Sequence, residues 1–414
     1  MNDLVINETL EELSLRQRAV TGLLELIAQS CDLTPAQHEA IRRHYTDKIE
    51  HLKECTWLRQ YDLSLEPQGS VSYGVPVRPI ERKHSEHDVD LLLTVKAREG
   101  EFGSDELHRE VGNQLRSKYR AIMSPIRYGW QLDYAETERF HFDIIAAIPT
   151  RHAGQEMVAV TDWKSRDWKP SNPIGFRDGI LQAAARLPLI DGQGEHLLLN
   201  SRMNTANAKE VIVVPLPENT PMKMPLQRAI QLTKRYREVW FSRRGKLLQK
   251  TPSIILTTIL WQAYERFVLG KKFSSIFAVL ETLASHLDDT TILNIQVDGY
   301  NRVTYNLPNP TVSGENLVKR WNEPERAKEA EDYFMWVKDY QAFVRSLTRI
   351  RGLNWLQPLL SEALGSELVD PVFKRMTEAV RSTPTRAAVG YTPALGITSA
   401  AAISIPHHTY DGIP

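Results

Sequence analysis

Apolar and polar positions recur with different periods in different parts of this chain, and the periods divide it. Residues from about 8 to 57 predict two helices, the second starting at Thr34-Pro35 with Gln37 at the capping-box position. Strand-like and short helical runs then alternate to about residue 165, which suits a mixed sheet with helices packed on it. From about 173 to 380 the helical period dominates, including a long charged, aromatic-bearing segment from Glu315 to Arg349. Leu226, Ile230, Thr233 and Val239-Trp240 recur at roughly helical spacing. Arg228, Lys234, Arg235 and Arg237 add positive charge to that helix, and Arg228 and Arg237 are expected on its solvated face. Thr251 reads as an N-cap and Pro252 as the first helical residue, which leaves Ser253 in the first turn. The pattern predicts N-terminal helices packing on the core (1–57), a sheet-bearing part (58–172), a helical lobe (173–383) and a tail (384–414), with no internal repeat.

The tail differs in kind. It is rich in Ala, Gly, Thr, Ser and Pro, with Arg386 and Asp411 its only formal charges. So little periodic apolar surface cannot offset the entropy of ordering, and mobility is the expectation.

Composition narrows the class. A chain of 414 residues can bury a large core, here expected as two intimately packed lobes. No apolar run approaches the ~18–20 residues that span a bilayer, and the acidic start MNDLVINETLEEL lacks a signal-peptide pattern. With only Cys31 and Cys55, a reduced cytoplasmic setting is expected, without a disulfide framework or a Cys-rich zinc site. Lys and Arg total 51 and so do Asp and Glu, so no global basic field argues for a nucleic-acid partner.

The candidate chemistry lies between Gln68 and Val95, QGSVSYGVPVRPIERKHSEHDVDLLLTV. A Gly-Ser turn precedes a strand carrying Asp88 and Asp90. Acids at i and i+2 share one side of a strand, while Val89 and Leu91 point to the other. A third acid, Asp143, sits in the apolar run RFHFDIIAAIP, where an unpaired carboxylate is costly. Either a metal ion or a salt bridge to Arg139, His141 or a more distant base would compensate it. Mg²⁺ binds through one or two carboxylates plus substrate phosphates, and paired ions ~3.5–4 Å apart serve in-line displacement at phosphorus. In such a site Asp88 and Asp90 would bridge both ions, and Asp143 would bind the ion that activates an incoming sugar hydroxyl. His84 and His87 flank the acids without standard zinc spacing, and His407-His408 lie in the tail; all four are read as structural or surface residues.

A series of segments, in order, resembles the bacterial cGAS/DncV-like nucleotidyltransferases, the CD-NTases of CBASS anti-phage signalling, from about residue 35 to 380. Gly69-Ser70 with Gly74 is similar to the family's G-S-x-x-x-G-T turn, with Val75 where Thr is usual. His87-Asp88-Val89-Asp90-Leu91 and Phe142-Asp143 resemble its acidic strands, and Trp168-Lys169-Pro170-Ser171-Asn172-Pro173 its W-x-x-[ST]-[ND]-P segment. Pro225 to Arg237 resembles the helix bearing a triphosphate-binding Lys, and Pro252 to Thr258 the helix after it. Asn309-Pro310, Glu315-Asn316-Leu317 and Trp321 resemble its N-P…E-N-x…W segment.

The resemblance implies an α+β fold, with a polymerase-beta-like sheet core, a helical oligoadenylate-synthase-like lobe and an active site in the cleft between them. It implies two Mg²⁺, or Mn²⁺, on Asp88, Asp90 and Asp143, and a donor triphosphate on Gln68, Gly69, Ser70, Lys234 and Ser253. Ser253 has capping as its alternative role. The implied substrates are nucleoside triphosphates, ATP alone or with GTP or a pyrimidine triphosphate. The implied product is a cyclic di- or trinucleotide. The same core serves linear oligonucleotide synthases and enzymes that transfer a nucleotide to a protein or small molecule, and a nucleotide-binding scaffold is a third class. In some operons of the family a regulator, or a ubiquitin-transfer-like enzyme that conjugates the C-terminus, is the partner, and an accessible tail would suit the latter. The zinc ribbon with which animal relatives grip DNA is missing from the sequence.

Overall fold

The computed structural model describes residues 10–78, 80, 87–134, 140–152, 155–190, 223–245, 248–350, 352–382, 390–392 and 396–398. His84, Arg139, Arg386, His407, His408 and Asp411 lie outside the described residues, as does most of the tail. Of the tail, only the antiparallel pair Gly390–Thr392 and Gly396–Thr398 is described.

Helix α1 (Leu10–Gln29) is followed by α2 (Pro35–Lys53), which starts as its sequence predicts: Thr34 accepts from the Gln37 amide at 3.2 Å while the Gln37 side chain accepts from the Thr34 amide at 3.0 Å. The two helices then part company. Val20, Leu23, Leu24 and Ile27 of α1 belong to the core of the helical lobe, whereas Ile41, Tyr45 and Leu52 of α2 pack into the core of the sheet.

The sheet holds seven strands: β1 (Leu63–Pro67), β2 (His87–Val95), β3 (Met123–Ile126), β4 (Gly129–Asp133), β5 (Phe140–His152), β6 (Gln155–Asp162) and β7 (Asp167–Ser171). Its order is β1-β2-β5-β4-β3, with β6 joining β5 to β7. β5 is the axis. It runs parallel to β2 and antiparallel to β4 and β6, and its alternate residues Phe140, Phe142 and Ile144 are fully buried. The short helix α3 (Gly69–Ser72) joins β1 toward β2, and α4 (Ser104–Tyr119) crosses between β2 and β3, burying Leu107, Val111 and Leu115 against the sheet.

The second lobe comprises α5 (Pro173–Ala185), α6 (Pro225–Arg244), α7 (Ser253–Ala263), α8 (Ile276–Ser285), α9 (Ala327–Leu347), α10 (Leu353–Leu364) and α11 (Ser366–Ser382). The helix expected over Glu315–Arg349 is shorter. Residues 319–322 and 324–326 form 3-10 turns, and α9 starts only at Ala327, because Pro324 cannot donate within a helix and the preceding chain is tied by Asn316 and Asn322 side chains to backbone. Trp336, Tyr333 and Tyr340 of α9 are fully buried at the lobe's centre.

α6 is the central strut, and here the expectation of a solvated face fails. Every residue from Arg228 to Arg237 is buried. Arg228 grips Glu25 of α1 through Nε and Nη2 at 2.9–3.1 Å and Asp32 through Nη1 at 3.0 Å. Arg235 donates to the carbonyls of Leu364 (2.7 Å) and Arg78 (2.6 Å) and pairs with Glu367. Arg237 donates to the Thr251 carbonyl at 2.7 Å and to Ser253 Oγ at 3.0 Å and pairs with Glu238. Neighbours on all sides supply acceptors, so charge no longer marks the outer face. The start of α7 is corrected too: Pro252 is the N-cap and Ser253 the first helical residue, while Thr251 gives its carbonyl to Arg237 and its buried hydroxyl finds no partner among the described residues. No helix among the described residues is long and apolar enough to cross a membrane.

Candidate active site

The pairing of β2 with β5 builds a square of polar side chains. Asp88 lies opposite His141 and Asp90 opposite Asp143, and all four occupy one face because alternate residues of a strand share a side. Val89, Leu91, Phe142 and Ile144 point the other way into the sheet core. His141 Nε2 stands 3.2 Å from Asp88 Oδ1, and Gln131, opposite Asp143 on β4, donates to Asp143 Oδ1 at 2.9 Å. His141 thus stands beside Asp88 and also close enough to Asp143 for its charge to act on that carboxyl.

Crowding leaves a mark on the acids. Burial, then repulsion from Asp88 and Asp143, pushes the Asp90 carboxyl well above the ordinary carboxylate range. Burial, reinforced by Asp88, lifts Asp143 to about 6 in spite of the Gln131 hydrogen bond and His141. Acids that tend to keep protons when nothing else neutralises them form a donor set suited to a divalent cation. One oxygen each from Asp88 and Asp143 and one His141 nitrogen all lie within 4.8 Å of one another.

The Gly-Ser turn is fitted to this square. Gly69 has φ of +61°, and a Cβ added there would stand 1.9 Å from Asp90 Oδ2, so only glycine lets the backbone run this close to the carboxylate. The Gln68 amide donates to the Asp90 carbonyl at 2.8 Å, which ties the turn to β2. Val75 is fully buried and its carbonyl accepts from Lys234 Nζ at 3.2 Å. Thus the residue that departs from the family's Thr serves packing and holds a lysine through its backbone.

A cleft of about 790 Å³ lies between the sheet and the helical lobe. Gln68, Gly69, Ser70, Asp88 and Asp90 line one wall and Lys234 and Ser253 the other, so seven predicted residues from distant parts of the chain meet there. Asp143 sits beside them through its register with Asp90. Burial, then the Arg237 charge, lowers the Lys234 ammonium to about 8, although Glu238, Asp88 and Asp90 pull it upward. Glu238 is itself held at about 2: burial opposes ionisation, but Arg237 and Lys250, whose Nζ is 2.9 Å away, outweigh it.

No family model matches the chain. The chain is 29% identical over 342 residues to the c-di-GMP synthase of Roseivirga ehrenbergii, across 82% of this chain and 80% of that one. Its fold is similar to the Bradyrhizobium diazoefficiens CD-NTase CdnG in complex with GTP, with a TM-score of 0.63 at 17% identity over 87% of this chain and 99% of that one. It is also similar to the GTP-bound form of Vibrio cholerae DncV, with a TM-score of 0.51 at 16% identity over 86% and 89%. In fold the chain is similar to these CD-NTase structures.

The central sheet and the helical lobe are the architecture shared with those structures. Two of the segments that carry the resemblance lie at the joint between lobes. Asn172 caps α5, accepting from the Gly175 amide at 2.9 Å, and donates to the Thr311 carbonyl at 3.2 Å; Asn309 donates to Glu315 at 2.7 Å, and Lys169 reaches Glu315 at 3.4 Å. Sequence reasoning missed Gln131, Arg237 and Glu238 on the cleft wall. For Gln131 and Glu238 no linear signal existed, since each acquires its role from a partner strand or helix. His87 lies in β2, as expected, but is buried at the cleft with both ring nitrogens unpartnered among the described residues, and burial lowers it to about 4.

Proposed function

We propose that this enzyme condenses nucleoside triphosphates into a cyclic di- or trinucleotide second messenger of CBASS anti-phage defence, releasing pyrophosphate at each step. The observation that carries this reading is the convergence of three acids, a glycine-backed turn and a buried lysine in one cleft. The curated relative's name and the GTP in two similar structures support GTP as a first substrate to test beside ATP.

Asp88, Asp90 and Asp143 would hold two Mg²⁺, or Mn²⁺, which when bound would neutralise phosphate charge and favour ionisation of the attacking ribose hydroxyl. Gln131 donates to the Asp143 carboxylate, and the missing side chain at Gly69 leaves the room that the Asp90 carboxylate occupies. Gln68, Gly69 and Ser70 would face the donor phosphates from one wall. Lys234 would meet them from the other as a point charge, with Ser253 in the first turn of α7, where free amides also favour an anion. Phosphoryl transfer depends mainly on positioning and charge neutralisation, so few other side chains need touch the reacting atoms. Cyclisation further requires the first linear intermediate to turn over within the cleft.

Incubation with each labelled triphosphate, alone and in pairs, tests the reading. Mass analysis is expected to find a cyclic, phosphatase-resistant product, and Asp88→Asn with Asp90→Asn is expected to abolish it while leaving the fold intact. A linear product would instead point to an oligonucleotide synthase, and undiminished turnover in the double variant would remove the acids from the mechanism.

A further inference from the structure

We propose that His141 is a nitrogen ligand to the cation held by Asp88 and Asp143, and that it shifts this site's preference from Mg²⁺ toward transition-metal ions such as Mn²⁺. The proposal rests on the reading of the acids as a metal site and adds a ligand to it.

Three observations carry it. The β2–β5 register sets His141 directly opposite Asp88, and the strand period sets it on the same face as Asp143. Its Nε2 points at the acids, 3.2 Å from Asp88 Oδ1, and the His141, Asp88 and Asp143 donor atoms lie within 4.8 Å of one another, so small side-chain adjustments let them share one ion. The ring also lines the cleft, with its side chain 22% exposed, and so lies where substrate and ions arrive.

The chemistry then follows from donor type. Mg²⁺ takes oxygen ligands in a strict octahedron and usually retains several waters. Imidazole is a softer donor that suits first-row transition metals, so replacing an oxygen or water by Nε2 penalises Mg²⁺ relative to them. As a ligand, His141 must be neutral with its Nε2 lone pair turned to the ion; as a mere ion-pair partner of Asp88 it would keep a proton there. The two roles differ spectroscopically.

Mn²⁺ is the probe, added to the native protein and to His141→Gln, which can still hydrogen-bond Asp88 but offers no imidazole nitrogen. Pulsed EPR of bound Mn²⁺ is expected to show ¹⁴N modulation from a directly bound nitrogen in the native protein and none in the variant. Competition by Mg²⁺ against bound Mn²⁺ should become on the order of tenfold more effective in the variant. Native protein that binds Mn²⁺ without nitrogen modulation, or a Mg²⁺/Mn²⁺ preference unaltered by the substitution, overturns the assignment of His141 and leaves the acids' role standing. Native protein that binds no Mn²⁺, or binding undiminished in Asp88→Asn with Asp90→Asn, overturns the metal reading itself along with the assignment.

Discussion

Lys234 shows how much of a residue's behaviour comes from its surroundings. Sequence marks it only as one of several cations on a helix. In the folded chain it is buried in the cleft wall with its ammonium pushed down to about 8, first by burial and then by Arg237. Without nucleotide, therefore, it loses its charge as pH rises through about 8, and the attraction for a triphosphate goes with it. Affinity for a non-hydrolysable triphosphate, measured by calorimetry, should fall above about pH 8 by up to about tenfold per unit, with proton uptake on binding. Lys234→Met should bind about tenfold or more weakly and lose this dependence. A native affinity that stays flat from pH 7 to 9, on the order of two units around that midpoint, would count against Lys234 as a phosphate contact.

Elements place such residues, and two of them bear strict demands. At the start of α3, Gly69 combines a left-handed backbone with contact to Asp90, so Gly69→Ala must both strain the turn and displace a carboxylate. A stability loss of about 1–3 kcal/mol is expected from the backbone, and a fall in kcat on the order of a hundredfold from the misplaced acid. Thermal unfolding and steady-state rates separate the two; turnover near native would show that Asp90 need not stay where it is. Along α6 the demand is for charge compensation. Arg228→Ala leaves Glu25 and Asp32 without their guanidinium, although Lys223 still pairs with Asp32, so urea unfolding should show a loss of about 3–5 kcal/mol. A loss within ~0.5 kcal/mol, as at ordinary surface sites, would return Arg228 to the solvated role that its sequence suggests.

Elements also mark where the linear pattern was readable. The capping box of α2 is local chemistry among Thr34, Pro35 and Gln37, and it forms as read. The start of α7 is displaced by one residue because a distant arginine takes the Thr251 carbonyl, and α9 is shortened because Pro324 and the Asn316 and Asn322 turns occupy the chain before it. Local signals hold until a tertiary partner competes for the same backbone group.

At the scale of the whole molecule the cleft is lined from both lobes, so ligand binding should tighten both. A non-hydrolysable triphosphate with Mg²⁺ at about a hundred times its Kd should stabilise the protein by about 2.7 kcal/mol, seen as a rise of a few degrees in Tm. Either Asp90→Asn or Lys234→Met, from opposite walls, should remove most of that shift. A full shift in both variants would mean that the nucleotide binds elsewhere.

By itself the sequence determined what local periodicity and residue chemistry can: a sheet followed by a helical lobe, acids on one side of a strand, a glycine turn before them, and a lysine-bearing helix. The order of those pieces also carried the family resemblance. Only the tertiary structure decided which residues meet. Parallel pairing of β2 with β5 brings Asp143 and His141 to Asp90 and Asp88, and packing around α6 turns expected surface arginines into buried struts. Strand register and charge compensation are relations between segments far apart in the chain, and the energy of a contact does not exist until both partners are in place.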